Sequence, residues 1–259
     1  MQIAILVIFI LAILFSVKFL KHRKVIVLDM EPALLKKILE DQVPFYQQLI
    51  ENKKAEFEER TTMFLRQVKI TGIKTKVEDL DRVLIAASAT IPIFNFVGWQ
   101  YRNLHEVLLY PGSFDHEYNQ EGHGRNILGM VGGGAMNHIM ILSQPELRQA
   151  FINNTGKENT AIHEFVHLVD KTDGDIDGIP GALLDKKYIL PWLQLMQQEI
   201  KNIYNDQSDI NPYGATNQSE FFAVVSEYFF ERPALLKEKH PALYELLLKI
   251  FNPAATGNN

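Results

Sequence analysis

The side chains in this 259-residue chain best placed to do chemistry are two histidines four residues apart with a glutamate between them: His163-Glu164-Phe165-Val166-His167. On a helix, positions i and i+4 stand one turn apart on one face. The two imidazoles can then grip one metal ion, and Glu164 is near enough to take a proton from a water on that metal. This is the H-E-x-x-H arrangement of zinc hydrolases, and peptide-bond cleavage is its most direct reading. The bland alternative is a pair of surface histidines on a polar helix. Ala161, Ile162, Phe165, Val166, Leu168 and Val169 argue against that by surrounding the motif with apolar side chains. Buried histidines without a partner are costly. Thr155-Gly156-Lys157-Glu158 has the form of a capping box for the helix start, and Gly174 is a natural stop.

A catalytic zinc takes three protein ligands and keeps one position for water. With no cysteine in the chain, the third must be His, Asp or Glu. Asp170 lies one turn beyond His167. Asp173, Asp175 and Asp177 follow in Asp-Gly-Asp-Ile-Asp-Gly, which imitates the start of a calcium loop, but Leu184 stands where its closing glutamate belongs, so the stretch reads as a solvated turn. Glu220, early in an apolar helix, is the better candidate, although it could simply help cap that helix with Asn217 or Ser219. Glu227, seven residues on, shares its face and suits a partner of a ligating histidine or the ligand itself.

The elements that must position these residues can be read coarsely. Apolar spacing predicts helix over 31–69, divided by Pro44, and over Asp79 to Thr90, 216–232 and 241–251. Glu106–Tyr110 and Asn137–Leu142 read as strands. Residues 115–136 read as an irregular loop. The glycines there do not form a phosphate cradle, since no Gly-Lys-Ser/Thr follows.

Met1 to Val17 carries no charge, and Lys18, Lys21, Arg23 and Lys24 follow. A bilayer core of ~30 Å needs about 20 helical residues. The run lacks the basic start and small-residue cleavage site of a signal peptide, so it reads as an uncleaved anchor over residues 1–24. The positive-inside rule then places the body, 25–259, in the cytoplasm on a single-pass inner-membrane anchor. With those four cations set aside, 22 basic residues face 31 acidic ones, which excludes nucleic acid as a natural partner.

Three stretches bring a resemblance into view: LHEVLLYPGSF, AIHEFVHLVDKTDGD, and NPYGATNQSEFFAVVSEYFFERPALL followed by PALYELL. In order and spacing this part of the chain resembles the Mlc titration factor family of zinc metallopeptidases. The resemblance implies an α+β, mainly helical zincin-like domain with a small sheet, similar to the catalytic domain of anthrax lethal factor. Within it, 25–100 would be a helical N-terminal part and 101–259 the catalytic part. It implies a gluzincin site, with His163, His167 and Glu220 on zinc and Glu164 as the base. His123 is the nearest match to a family histidine that reaches the metal, with His138 its rival, and Tyr213 matches a tyrosine close to the site. It implies a peptide or protein substrate, and an alternative role as a membrane-tethered regulator binding a transcriptional repressor of sugar uptake. The strand at 137–142 is expected to pair with an extended peptide. The N-terminal anchor departs from the soluble members of the family.

Overall fold

The computed structural model of the protein describes residues 30–115, 120, 127–132, 137–153 and 155–252. The anchor expected over 1–24 and the histidine expected at 123 lie outside the described residues. Among the described residues no helix is long and apolar enough to cross a membrane.

Proline fixes where several helices begin. Its set φ and missing N–H suit the first turn, where no acceptor is needed. The expected helical stretch over 31–69 is three helices: α1 (Pro32–Gln42), α2 (Pro44–Gln47) and α3 (Glu51–Gln67). Pro44 divides α1 from α2 by opening the second. The first strand, β1 (Lys69–Gly72), follows and leads to α4 (Asp79–Ile93), one turn longer than the apolar spacing suggests. Every residue of α4 from Val83 to Ile93 is buried, which makes it a central pillar of the core.

The second strand, β2 (Glu106–Tyr110), falls on the expected residues. Two more strands follow, β3 (Gly129–Val131) and β4 (Ile139–Ser143). The four form one mixed sheet in the order β1-β2-β4-β3, parallel except for β3, which runs antiparallel to β4 with Gly129 opposite Leu142 and Val131 opposite Met140. This corrects one expectation. The strand after residue 137 is flanked on both sides, by β2 and β3, so its hydrogen-bonding groups are taken. The free edge on that side among the described residues belongs to β3, inside the stretch read as irregular loop.

The remaining helices are α5 (Gln144–Ile152), α6 (Thr160–Asp170), α7 (Lys186–Tyr204), α8 (Gln218–Glu231), α9 (Pro233–Lys239) and α10 (Pro241–Phe251). Pro233 both stops α8 and starts α9. Among the described residues a large hydrophobic core runs from Leu35 to Phe251 and joins the helices before residue 100 to those after it. Helix α6, the metal-motif helix, lies at its centre, packed against α4, α8 and β3. All its residues from Ala161 to Asp170 are buried. A helix apolar around its whole girth belongs in such a place, and its few polar side chains must find partners there.

Candidate metal centre

Helix α6 begins at Asn159, whose side-chain oxygen accepts from the Ile162 amide at 3.1 Å. The capping box expected at 155–158 does not form. Thr155 bonds back to Asn153 and Glu158 bonds across to Asn211. Helix α8 holds the start of α6 with two carboxylates. Glu227 accepts from the Asn159 backbone amide, and Glu231 accepts from its side-chain amide at 2.9 Å. Burial pushes the Glu231 carboxyl up to about 7.

One turn along, His163 and His167 project together with their ring planes 84° apart. Their Nε2 atoms are 3.1 Å apart, and Glu220 Oε2 lies 2.9 Å from the first and 3.4 Å from the second. Glu220 reaches this point because Asn217 caps α8 through the Glu220 amide at 2.9 Å, leaving the carboxylate free to turn inward. His163, His167 and Glu220 therefore converge as one set of candidate metal donors. The centre of a triangle with these sides lies about 1.8 Å from each corner. That spacing would suit a small cation, whose bonds to nitrogen and oxygen donors are roughly 2.0–2.2 Å long.

The charges point the same way. The buried Glu164 and Glu227 and the partly buried Glu220 crowd against two imidazoles, three carboxyl groups to two rings. Burial opposes a charged His163, yet its bonds to Glu220 and Glu227 hold its pKa well above the usual value. Burial also works against ionised Glu220, but His163 and His167 bring its carboxyl down to about 2. A cation belongs among these groups, and the donor set fits a divalent metal.

The other ring nitrogen of His163, Nδ1, is 2.6 Å from Glu227 Oε1. This carboxylate–histidine contact turns Nε2 toward the other donors. Of the two roles open to Glu227, the structure places it as a partner of His163. His167 Nδ1 is buried with no partner among the described residues.

Glu164 is buried beside the triangle, and desolvation raises its pKa above the ordinary carboxylate value against the pull of His163 and His167. Strand β3 crosses directly over it. A Cβ on Gly129 would stand 2.8 Å from Glu164 Cγ and 2.9 Å from Oε1, so this close approach requires glycine. The Tyr213 ring lies 5.9 Å from that of His163, half-exposed. Asn211 fixes it by accepting from the Tyr213 amide at 2.9 Å. Partial burial and the nearby Glu220 and Glu164 push the phenol pKa up, which keeps its proton available.

Other candidates go elsewhere. Asp170 accepts from the Gly178 amide at 2.8 Å, and burial pushes its carboxyl up to about 6. It belongs to the turn that follows α6. Gly178 itself has φ +77°, and its carbonyl accepts from the Trp192 indole N–H at 2.7 Å. Asp173 and Asp177 accept from backbone amides within the same turn, as a solvated turn should. His138 bonds the Asn103 carbonyl at 2.9 Å and stacks on His105, outside the donor cluster. A cavity of about 640 Å³ opens at residues 95–104 and is lined by no carboxylate or histidine among the described residues. Two smaller recesses flank His163, Glu164 and Tyr213: one of about 340 Å³ toward Val131 and Ile176, and one of about 460 Å³ toward Thr160 and Val224.

Asn159, Gly129, Glu231 and Asn211 are the supporting residues that sequence reasoning missed. Only Asn159 left a signal, as a good capping residue one position before the apolar helix begins.

Comparison with known proteins gives these residues a family setting. A model described as the glucose-regulated metallo-peptidase M90 matches residues 18–252. An uncharacterized protein of Synechocystis is 30% identical over 225 residues, 83% of this chain and 82% of its own. The Mlc titration factor A proteins of Pectobacterium atrosepticum and Escherichia fergusonii are 28% and 29% identical, each over 73% of this chain and 74% of theirs.

Proposed function

The chain belongs to the glucose-regulated metallo-peptidase M90 family, and on that premise we propose that it is a zinc-dependent peptidase with His163, His167 and Glu220 as ligands and Glu164 as general base. The observation that carries this is the convergence of three donor atoms from α6 and α8 on one point beside a buried carboxylate. Two imidazoles and one carboxylate form a donor set typical of catalytic zinc, which would supply a Lewis acid and a water that ionises near ~pH 7. Glu164 takes the proton of the attacking water and hands it to the leaving amine. Its raised pKa suits both halves of that transfer. The Tyr213 hydroxyl donates to the oxyanion that develops on the scissile carbonyl, a contact worth ~3 kcal/mol in comparable sites. The free edge of β3 pairs with the peptide backbone and lays it across Glu164. His123 keeps its place in this proposal as a further group near the metal.

Metal analysis of the purified full chain in detergent tests the reading directly. One zinc per chain is expected, with peptide cleavage lost on chelation and regained when zinc is returned. Cleavage that persists after complete metal removal would reject it.

A second reading is regulatory. Two relatives carry the name Mlc titration factor A, and this chain as a repressor-binding protein would use the same zinc structurally. For the N-terminal segment, the apolar run followed by Lys21, Arg23 and Lys24 supports a single-pass inner-membrane anchor with the body in the cytoplasm. In membrane fractions the chain should resist extraction by salt and alkali. A C-terminal tag should be cut by protease only after the inner membrane is opened. A tag cut in intact spheroplasts would reverse that orientation.

A further inference from the structure

The recess on the Thr160 side of the candidate centre has a shape and charge of its own. Its volume is about 460 Å³, and His163, Glu164 and Tyr213 are among its lining residues, so whatever fills it sits next to the reacting bond. Ile127, Leu128 and the buried Val224 supply apolar lining. Glu158 stands exposed at the mouth.

Glu158 is also held in place. Its Oε1 accepts from Asn211 Nδ2 at 2.6 Å, while Asn211 Oδ1 is fixed by the Tyr213 amide at 2.9 Å. One short chain of contacts thus ties this carboxylate to the turn that carries Tyr213. No lysine or arginine pairs with Glu158 among the described residues, and none lines the recess. The adjacent Lys157 is committed to Asp209 at 3.0 Å.

The geometry points to this recess as a subsite for a lysine or arginine side chain immediately flanking the cleaved bond, with Glu158 as its charge partner. A recess with some apolar lining and an exposed carboxylate on its wall matches a long methylene stem with a cationic head. An acidic side chain is refused, since Glu158, Glu164 and Glu227 all face the same space. The inference rests on the peptidase reading for the words "cleaved bond". The recess and its carboxylate do not depend on it.

The test uses end-blocked peptides, so that a free amino terminus cannot supply the positive charge. Cleavage sites of a mixed library, read by mass spectrometry with the full chain, should show Lys and Arg favoured about three- to tenfold over Leu, and more over Glu, at one flank of the cut bond only. In Glu158→Gln, which can still accept from Asn211, the Lys-to-Leu ratio should fall toward one, and in Glu158→Lys it should invert. A ratio measured within one protein sample is not mimicked by a general loss of activity. Equal use of Lys, Leu and Glu, or a bias that Glu158→Gln leaves intact, would overturn the subsite.

The same peptides bound to Glu164→Gln provide a second readout without turnover. Lys and Arg peptides should be retained about three- to tenfold more tightly than Leu peptides, and Glu158→Gln in that background should remove the difference. No cleavage by the unaltered, zinc-loaded chain combined with this binding bias would end the peptidase reading and leave a basic-peptide site. Absence of the bias in binding ends the subsite proposal whatever the activity.

Discussion

Replacing Glu164 with glutamine is expected to lower peptide hydrolysis by about 10²- to 10⁴-fold while the metal stays bound. Glutamine has almost the same shape, and the place is tight. Gly129 leaves no room for even a Cβ beside the Glu164 carboxylate, so the substituted side chain must stay where the glutamate was. What it loses is the capacity to accept a proton from water. None of the three converging donor atoms belongs to residue 164, so metal content should remain one per chain. Measuring kcat/KM together with metal content separates the two readings of this protein. A structural metal does not need a base between its histidines, and a repressor-binding protein would retain its partner in the Glu164→Gln form. If cleavage continues at the original rate, the motif has no part in hydrolysis.

The extent to which the sequence reveals this site depends on where each residue's signal lies. His163, Glu164 and His167 are legible because the helix itself brings them together, and a fixed spacing carries the geometry. Glu220 and Glu227 are seven apart on α8, which marks a shared face, but which of them reaches the donors depends on the way α8 crosses α6. Only the structure shows that Glu220 turns to both Nε2 atoms while Glu227 takes His163 Nδ1. Strand β3 escapes sequence reading for a related reason. Three residues beginning with glycine have little strand preference, and their order comes from pairing with β4. Helix α7 is hidden differently. Its buried stripe is Trp192, Met196, Glu199 and Ile203, regular in spacing but with a glutamate in it, and Pro191 sits within its second turn. The helix starts at Asn159 and not at Thr155: Thr155 to Glu158 satisfies a local pattern, but their side chains are taken by Asn153 and Asn211. In each case a tertiary contact outweighed the local preference.

Glu227 shows how far the site depends on such contacts, and Glu227→Ala should weaken metal binding by about 10- to 100-fold although no metal ligand is changed. Its two oxygens serve different tasks: one fixes the His163 ring through Nδ1 at 2.6 Å, and the other accepts from the Asn159 amide that opens α6. Alanine removes both acceptors at once. The imidazole is then free to rotate or take its proton on Nε2, where a metal needs a lone pair. The Asn159 amide, fully buried with its residue, is left without its acceptor, at a cost of about 1–3 kcal/mol. The metal-free variant should therefore unfold at lower denaturant than the metal-free wild type. Glu227→Gln should fall between the two, since one amide oxygen can serve only one of these donors well. Competition with a chelating dye reads the affinity, and denaturant unfolding of the metal-free proteins reads the stability. If Glu227→Ala holds zinc as tightly as the wild type, His163 is oriented by the packing of α6 alone. The carboxylate would then serve only to join α8 to the start of α6.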